Sequence, residues 1–297
     1  EYVGVRGSMS GGDDGDTLCA GAGGTSMDGG DGPDTIIGGP AGDSSIFDGP
    51  GDDDVRTGGG DDLVVAGSGH DVLDLGSGTD TIYYSRSADV VLRPDDGLAN
   101  DGEAGEGDTV SGAERFNLGS GDDTLVAPLA RDLRVSAGGG DDTIETGAGD
   151  DSISAEDGED IVRSGGGGDS VDGGTGDDAL DLGAGGDSGD GGSGTDRIDG
   201  GPGSDSLDGG TGADRLSGGP GDDFVSYRER SLRVVVRLDG VANDGEAGEG
   251  DDVRPDVEGV ALGGGDDLFV GTAAANGASG GAGADRLEGG GGDDFLG

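Results

Sequence analysis

The chain has 297 residues, with 66 acidic side chains against 16 basic ones and a formal charge of −50. That charge disfavours nucleic acid and anionic membrane surfaces as partners, and no apolar stretch approaches the ~18 residues that a bilayer span needs. With 29% apolar residues and 3% aromatics, such a chain repels itself and is predicted to stay disordered unless counter-ions neutralise it.

A nine-residue pattern, G-G-x-G-x-D-x-U-x with U apolar, organises most of the chain. Residues 1–83 form an N-terminal array, degenerate up to about residue 28. In Ala20–Asp28, Thr25 stands where Asp belongs; Gly29–Ile37 fits; Gly38–Phe47 carries an extra residue; Asp48–Arg56, Thr57–Val65, Ala66–Asp74 and Leu75–Tyr83 fit again. Residues 84–117 break the rhythm. A central array follows over 118–226, opening with Leu118–Val126. From Ala137 to Ser226 it holds ten units without a slip. In those ten, the fourth place is always Gly and the sixth always Asp, and the eighth is aliphatic in all but one, where Gly189 stands. Low complexity does not hold three residue types to one phase. Residues 227–261 break the rhythm a second time, and 262–297 return to it with Leu262–Val270, Gly271–Ser279 (with Asn276 for Asp), Gly280–Glu288 and Gly289–Gly297. All five segments are expected to form one continuous solenoid.

The two interruptions are copies: Ala99–Asp108 and Ala242–Asp251 both read A-N-D-G-E-A-G-E-G-D. Each copy opens with an apolar strand, Val90–Leu92 or Val234–Val236, and has a second around Phe116 or Val257–Val260, beside Glu114 or Glu258. Each is predicted to be a wider coil of the solenoid with a bulged acidic loop. Whether that loop binds an extra ion or is a solvated turn is left open by the sequence.

The repeat divides into a turn, G-G-x-G-x-D, and a three-residue strand, x-U-x. Glycines allow positive φ and tight turns. Strand alternation sends the U side chain inward and its neighbours outward. Two units then close one coil, and residues eighteen apart stack at one strand spacing, roughly 4.8 Å. Turn carbonyls and the Asp carboxylate offer hard oxygen donors with no soft ligand, which suits calcium. Neutralising the charge with divalent ions takes 50/2 = 25 of them, close to one per unit.

On these residues the chain resembles the repeats-in-toxin, or haemolysin-type, calcium-binding family over about three quarters of its length. The resemblance implies an all-β fold, a right-handed parallel β-roll with two units per coil and calcium between the turns of successive coils. It implies metal roles for the sixth-position residues Asp34, Asp53, Asp62, Asp71, Asp80, Asp123, Asp142, Asp151, Asp160, Asp169, Asp178, Asp187, Asp196, Asp205, Asp214, Asp223, Asp267, Asp285 and Asp294. The units around Thr25, Glu156 (in place of the second Gly) and Asn276 are expected to bind less well.

Catalysis finds little support. The stretch Gly277–Gly281 matches G-x-S-x-G, but no His follows it. His70, the single histidine, falls at a variable fifth place and is expected on the surface. The chain has no Lys, which excludes a P-loop, and its single Cys19 excludes an internal disulfide. The sequence shows no signal peptide and does not begin with Met, so a processed product or an excised fragment is expected. Weak oxygen cages fill at extracellular calcium levels, about 10⁻⁴–10⁻³ M, and point to a secreted or cell-surface protein.

The expected function is an extracellular structural, adhesive or spacer module that folds on binding several calcium ions. The alternative is the repeat portion of a larger secreted toxin or hydrolase. One face is expected to carry a Ser row (Ser152, Ser170, Ser188, Ser206) beside an uncompensated Asp row (Asp172, Asp190, Asp208), a candidate for cation-bridged contact with a glycan or cell wall. The opposite face pairs Arg163, Arg197 and Arg215 with Asp181 and Asp199.

Overall fold

The computed structural model describes residues 2–3, 7–84 and 87–297. Among these residues there are strands and turns but no helix. The chain divides into two compact units, Glu1–Ile144 and Glu145–Gly297. Both are stacks of parallel coils, as the nonapeptide rhythm predicts.

In the first unit, one face stacks Thr17–Cys19, Thr35–Ile37, Asp54–Arg56, Val72–Asp74 and Thr109–Ser111 in parallel. The other stacks Gly7–Asp13, Thr25–Asp31, Ser45–Phe47, Leu63–Val65, Thr81–Tyr83, Arg115–Gly119 and Arg134–Gly139. The second unit repeats this plan. Ser152–Asp157, Ser170–Asp172, Ser188–Asp190, Ser206–Asp208, Phe224–Ser226 and Gly259–Ala261 form one face. Ile161–Arg163, Ala179–Asp181, Arg197–Asp199, Arg215–Ser217 and Asp252–Val253 form the other. In the regular repeats partners lie eighteen residues apart, as in Ser170↔Ser188 and Leu180↔Ile198.

Each interruption breaks one face and leaves the other whole. Thr81–Tyr83 pairs directly with Arg115–Gly119, and Phe224–Ser226 with Gly259–Ala261, so that face runs on. On the opposite face Val90–Leu92 opens a new sheet. It pairs with Thr124–Val126 in parallel and with Gly102–Glu103 antiparallel. Val234–Arg237 does the same with Leu268–Val270 and Gly245–Glu246. The acidic loop is therefore a small hairpin, closed by reciprocal backbone bonds between Asp101 and Asp108 and between Asp244 and Asp251.

Alternation of side chains explains the core. The eighth-place residues of the regular run, Ile144 to Val225, are all at most 2% exposed, save the side-chain-less Gly189. Two places on from the eighth is the first place of the next unit, and its side chain also points in: Ala137, Ala155, Ser164 and Leu182 are 0% exposed. Two places before it is the sixth, so the Asp side chains enter the same layer. The first place was not recognised from sequence as inward, because Ala, Ser, Thr, Leu and Gly share it. Leu182 there repairs the unit's missing aliphatic residue: a β-carbon on Gly189 would lie 2.9 Å from Leu182 Cδ1 and 3.1 Å from Ile198 Cγ2.

The second place of the turn holds a left-handed backbone, with Gly174 at φ +99° and Gly192 at +89°. Glu156 adopts φ 78° at the same place, a conformation costing a non-glycine residue about 1–2 kcal/mol.

The outward rows have the expected register, with Ser170↔Ser188↔Ser206 beside Asp172↔Asp190↔Asp208. Arg163↔Asp181↔Asp199 lie on the opposite face, where Arg197 Nη2 sits 3.4 Å from Asp199 Oδ2. An opposing charge reaches this row at Asp208, however. The second interruption lays Arg230 against it: Asp190, Asp208, Arg228 and Arg230 line one hollow, and the guanidinium of Arg230 acts against the upward push of burial on Asp208. The sequence hid this because Arg230 is distant along the chain.

Replacing Leu182 with Ala is expected to open a cavity that the adjacent Gly189 cannot fill. Urea unfolding of the calcium-loaded chain should show a loss of about 2–5 kcal/mol.

Candidate metal centre

The sixth-place carboxylates form two rows inside each unit. One oxygen of each Asp accepts the backbone N–H of the corresponding residue one coil earlier. In the second unit Asp160 donates to Asp178 Oδ1, Asp178 to Asp196 and Asp196 to Asp214, each at 2.9 Å. Asp151, Asp169, Asp187 and Asp205 donate along the other row, ending at Asp223 Oδ1, at 2.8–2.9 Å. In the first unit one row runs Asp16, Asp34, Asp53, Asp71 and the other Thr25, Asp43, Asp62, Asp80. Asp123 accepts from Val90 and donates to Asp142.

The interruptions terminate these rows with carboxylates of their own. Asp71 donates to Asp108 Oδ1 at 2.9 Å and Asp80 to Glu114 Oε2 at 3.0 Å. In the second copy Asp214 donates to Asp251 Oδ1 at 3.1 Å and Asp223 to Glu258 Oε2 at 2.9 Å. The remaining Oδ2 of Asp108 and Asp251 accepts the hydroxyl of Tyr84 and Tyr227, at 3.3 and 2.8 Å. Within the hairpin, both oxygens of Asp101 take backbone N–H groups, from Arg93 and Val110, and both of Asp244 take those of Arg237 and Val253.

The second oxygen of the row residues distinguishes them. Oδ2 of Asp34, Asp53, Asp62, Asp80, Asp123, Asp169, Asp178, Asp187, Asp196, Asp205, Asp214, Asp223 and Asp267 is buried with no hydrogen-bond partner. Burying an ionised carboxylate half-satisfied costs several kcal/mol unless a counter-charge arrives. At several first-place glycines, a carbonyl from the next coil lies beside this oxygen. A β-carbon on Gly173 would lie 2.6 Å from Asp178 Oδ2 and 2.8 Å from the Gly191 carbonyl oxygen, and Gly191 and Gly200 show the same pair. The resulting strip is lined by carboxylate and carbonyl oxygens without sulfur or imidazole. The donor set fits calcium.

Burial pushes these carboxyls up, the backbone N–H bond pulls them down, and neighbouring row members push them up again. Asp53, Asp196 and Asp214 reach about 7, and Asp80, Asp123, Asp187 and Asp223 about 6. Asp34, Asp62, Asp169, Asp178, Asp205 and Asp267 are raised for the same leading reason. At the chain's end Asp285 and Asp294 are only half-buried. Asp142, Asp151 and Asp160 are at most 2% exposed, in line with their neighbours.

Sequence reasoning passed over several row members. Asp43 was discounted for the extra residue of its unit, yet it is 1% exposed and accepts the Thr25 N–H at 2.8 Å. The surplus Ser44 falls between Asp43 and the strand Ser45–Phe47, so the carboxylate keeps its row. The signal for Asp108 and Asp251 was present as G-D-x-V, a repeat fragment inside the interruption. A second, outer row was read as variable: the fifth-place Asp150 and Asp177 accept the N–H of Gly168 and Thr195 at 2.8 and 2.7 Å. His70 is on the surface, its side chain 65% exposed and Nδ1 3.7 Å from Asp52 Oδ1.

The pH response follows from these shifts. The folded metal-free chain binds protons more tightly than the unfolded one, so its stability falls as pH rises from about 4 to about 7 and then levels off. Calcium competes with those protons and reverses the trend. Circular dichroism of metal-free chain should therefore show β-structure gained on acidification from pH 7.5 to 5, and calcium-loaded chain should show its weakest calcium affinity at the acid end. Asp178→Ala should weaken calcium uptake across neighbouring coils, whereas the outward Asp181→Ala should leave the calcium titration within error of wild type.

The family model for the RTX calcium-binding nonapeptide repeat matches residues 28–64, 47–82, 56–91, 136–171, 190–225 and 263–296. No curated protein matches the chain. The matched segments cover most of the repeat arrays. The chain belongs to the RTX calcium-binding nonapeptide repeat family.

Proposed function

We propose that the protein is an extracellular module whose coils fold on loading with calcium and which then acts as a stiff spacer or adhesive segment. The observation that carries this reading is the row of buried Asp Oδ2 atoms without partners. An apolar layer one aliphatic residue wide per unit is too thin to offset a buried row of like charges. Calcium removes the repulsion and ties consecutive coils together, so folding and binding become one process. The ligands in this reading are the sixth-place Asp residues from Asp34 to Asp294, joined by Asp43 and by first-place carbonyls such as that of Gly191. The interrupted segments 84–117 and 227–261 serve as wider coils within their own units. Cytosolic calcium is too scarce for cages of this kind, which supports secretion or display at a cell surface. Among the described residues no helix is long and apolar enough to cross a bilayer.

Circular dichroism tests the coupling. At pH 7.5 and low ionic strength the metal-free chain should lack the β signal and should gain it cooperatively on calcium addition, with a midpoint in the 10⁻⁴–10⁻³ M range (about that of extracellular modules). A chain already β-structured in excess chelator would sink the proposal. Magnesium at the same concentration should be a poor substitute, because it demands near-ideal octahedral geometry and sheds water reluctantly.

A further inference from the structure

Asp48 has no place in the repeat's metal pattern. It stands at the first position of Asp48–Arg56, where the regular units carry Gly, Ala, Ser, Thr or Leu. Alternation turns that side chain inward, and Asp48 is 0% exposed. Its Oδ1 accepts the Gly49 N–H at 2.8 Å, while its Oδ2 has no hydrogen-bond partner. Asp53 Oδ2, buried in the adjacent row, has none either. One carboxylate oxygen each from Asp48, Asp53 and Asp71 lie within 4.8 Å of one another, and among the described residues no other trio of ligating side chains converges in this way.

That separation is what one calcium imposes on its ligands. With Ca–O distances of about 2.3–2.6 Å, oxygens on opposite sides of the ion stand about 5 Å apart. Three buried carboxylates held this close in ionised form are tenable only with a cation among them.

We propose that Asp48, Asp53 and Asp71 hold one calcium ion in a three-carboxylate site, tighter than the sites that two stacked sixth-place carboxylates supply elsewhere. The assignment rests on the reading that the inward Asp rows take calcium. Affinity in oxygen cages rises with the number of charged ligands, so this site fills first and empties last.

The duplication supplies a comparison within the chain. Asp53, Asp71 and Tyr84 recur 143 residues on as Asp196, Asp214 and Tyr227, but the counterpart of Asp48 is Gly191. The second copy keeps the two row carboxylates and the tyrosine and lacks the third carboxylate. Asp48→Gly therefore recreates a local sequence that this fold already tolerates.

The test is calorimetric titration of the full, initially metal-free chain with calcium, for wild type, Asp48→Gly and the near-isosteric Asp48→Asn. Wild type should show one ion taken up about tenfold or more tightly than the rest, by the charge-count argument. Both variants should lose that step, while the remaining uptake and the dichroism of the calcium-loaded form stay unchanged. Asp53→Asn should remove the same step. Superimposable isotherms for wild type and the Asp48 variants, or an Asp48→Asn chain that keeps the tight step, overturn the third-carboxylate assignment and leave the repeat reading standing. A wild-type chain that takes up no calcium overturns both.

Discussion

The structure depends on one constraint: alternation places the sixth, eighth and first positions of the repeat on the same inner face. The eighth-place aliphatic residues, such as Leu180 and Ile198, cannot be buried without carrying the carboxylates of Asp178 and Asp196 in with them. A fold of this kind has no separate core and metal shell. Its interior is a narrow apolar strip edged by acid, and the acid is held there by covalent spacing. The backbone N–H of the preceding coil satisfies half of each carboxylate, and the other half is left without a protein partner in Asp178, Asp196 and Asp214.

The same geometry gives the interruptions a structural meaning. Asp108 and Asp251 end a row, because each directs Oδ1 to the coil before it and Oδ2 to a tyrosine hydroxyl. Their own N–H groups return to Asp101 and Asp244 within the hairpin. Val90 and Val234 then open new rows by donating to Asp123 and Asp267. Each hairpin therefore divides one edge of its roll into two independent chains of carboxylates. The opposite face continues past it unbroken.

Much of this was legible in the sequence where a residue type recurs in fixed phase. The recurrence of the Asp, the inward aliphatic residue and the eighteen-residue register were read from period alone, whereas the inward turn of the Asp side chain was not. The first position was not, because five residue types share it and no composition marks it as buried; Leu182, filling in for Gly189, shows its role. Asp43 was obscured by a one-residue surplus that the turn-to-strand junction absorbs. The contact of Arg230 with the outer Asp row required knowing how the second interruption folds back, which no local pattern encodes. Asp48 passed unnoticed because its unit fits the repeat, and its significance lies in a convergence of oxygens that only coordinates reveal.

The inner backbone-to-carboxylate bonds point one way along the chain, a residue donating and the sixth-place Asp about eighteen residues later accepting, while the exposed fifth-place bonds to Asp150 and Asp177 run the other way. The stack is thus a polar object with unlike ends. A coil without a predecessor leaves a sixth-place carboxylate oxygen and a seventh-place N–H unmatched, since Ala179 and Arg197 donate to the carbonyls of Asp160 and Asp178 one coil earlier. A coil without a successor is left with an unmatched amide at the edge of its core. Each newly seated coil therefore closes the buried sixth-place amide of the one before it.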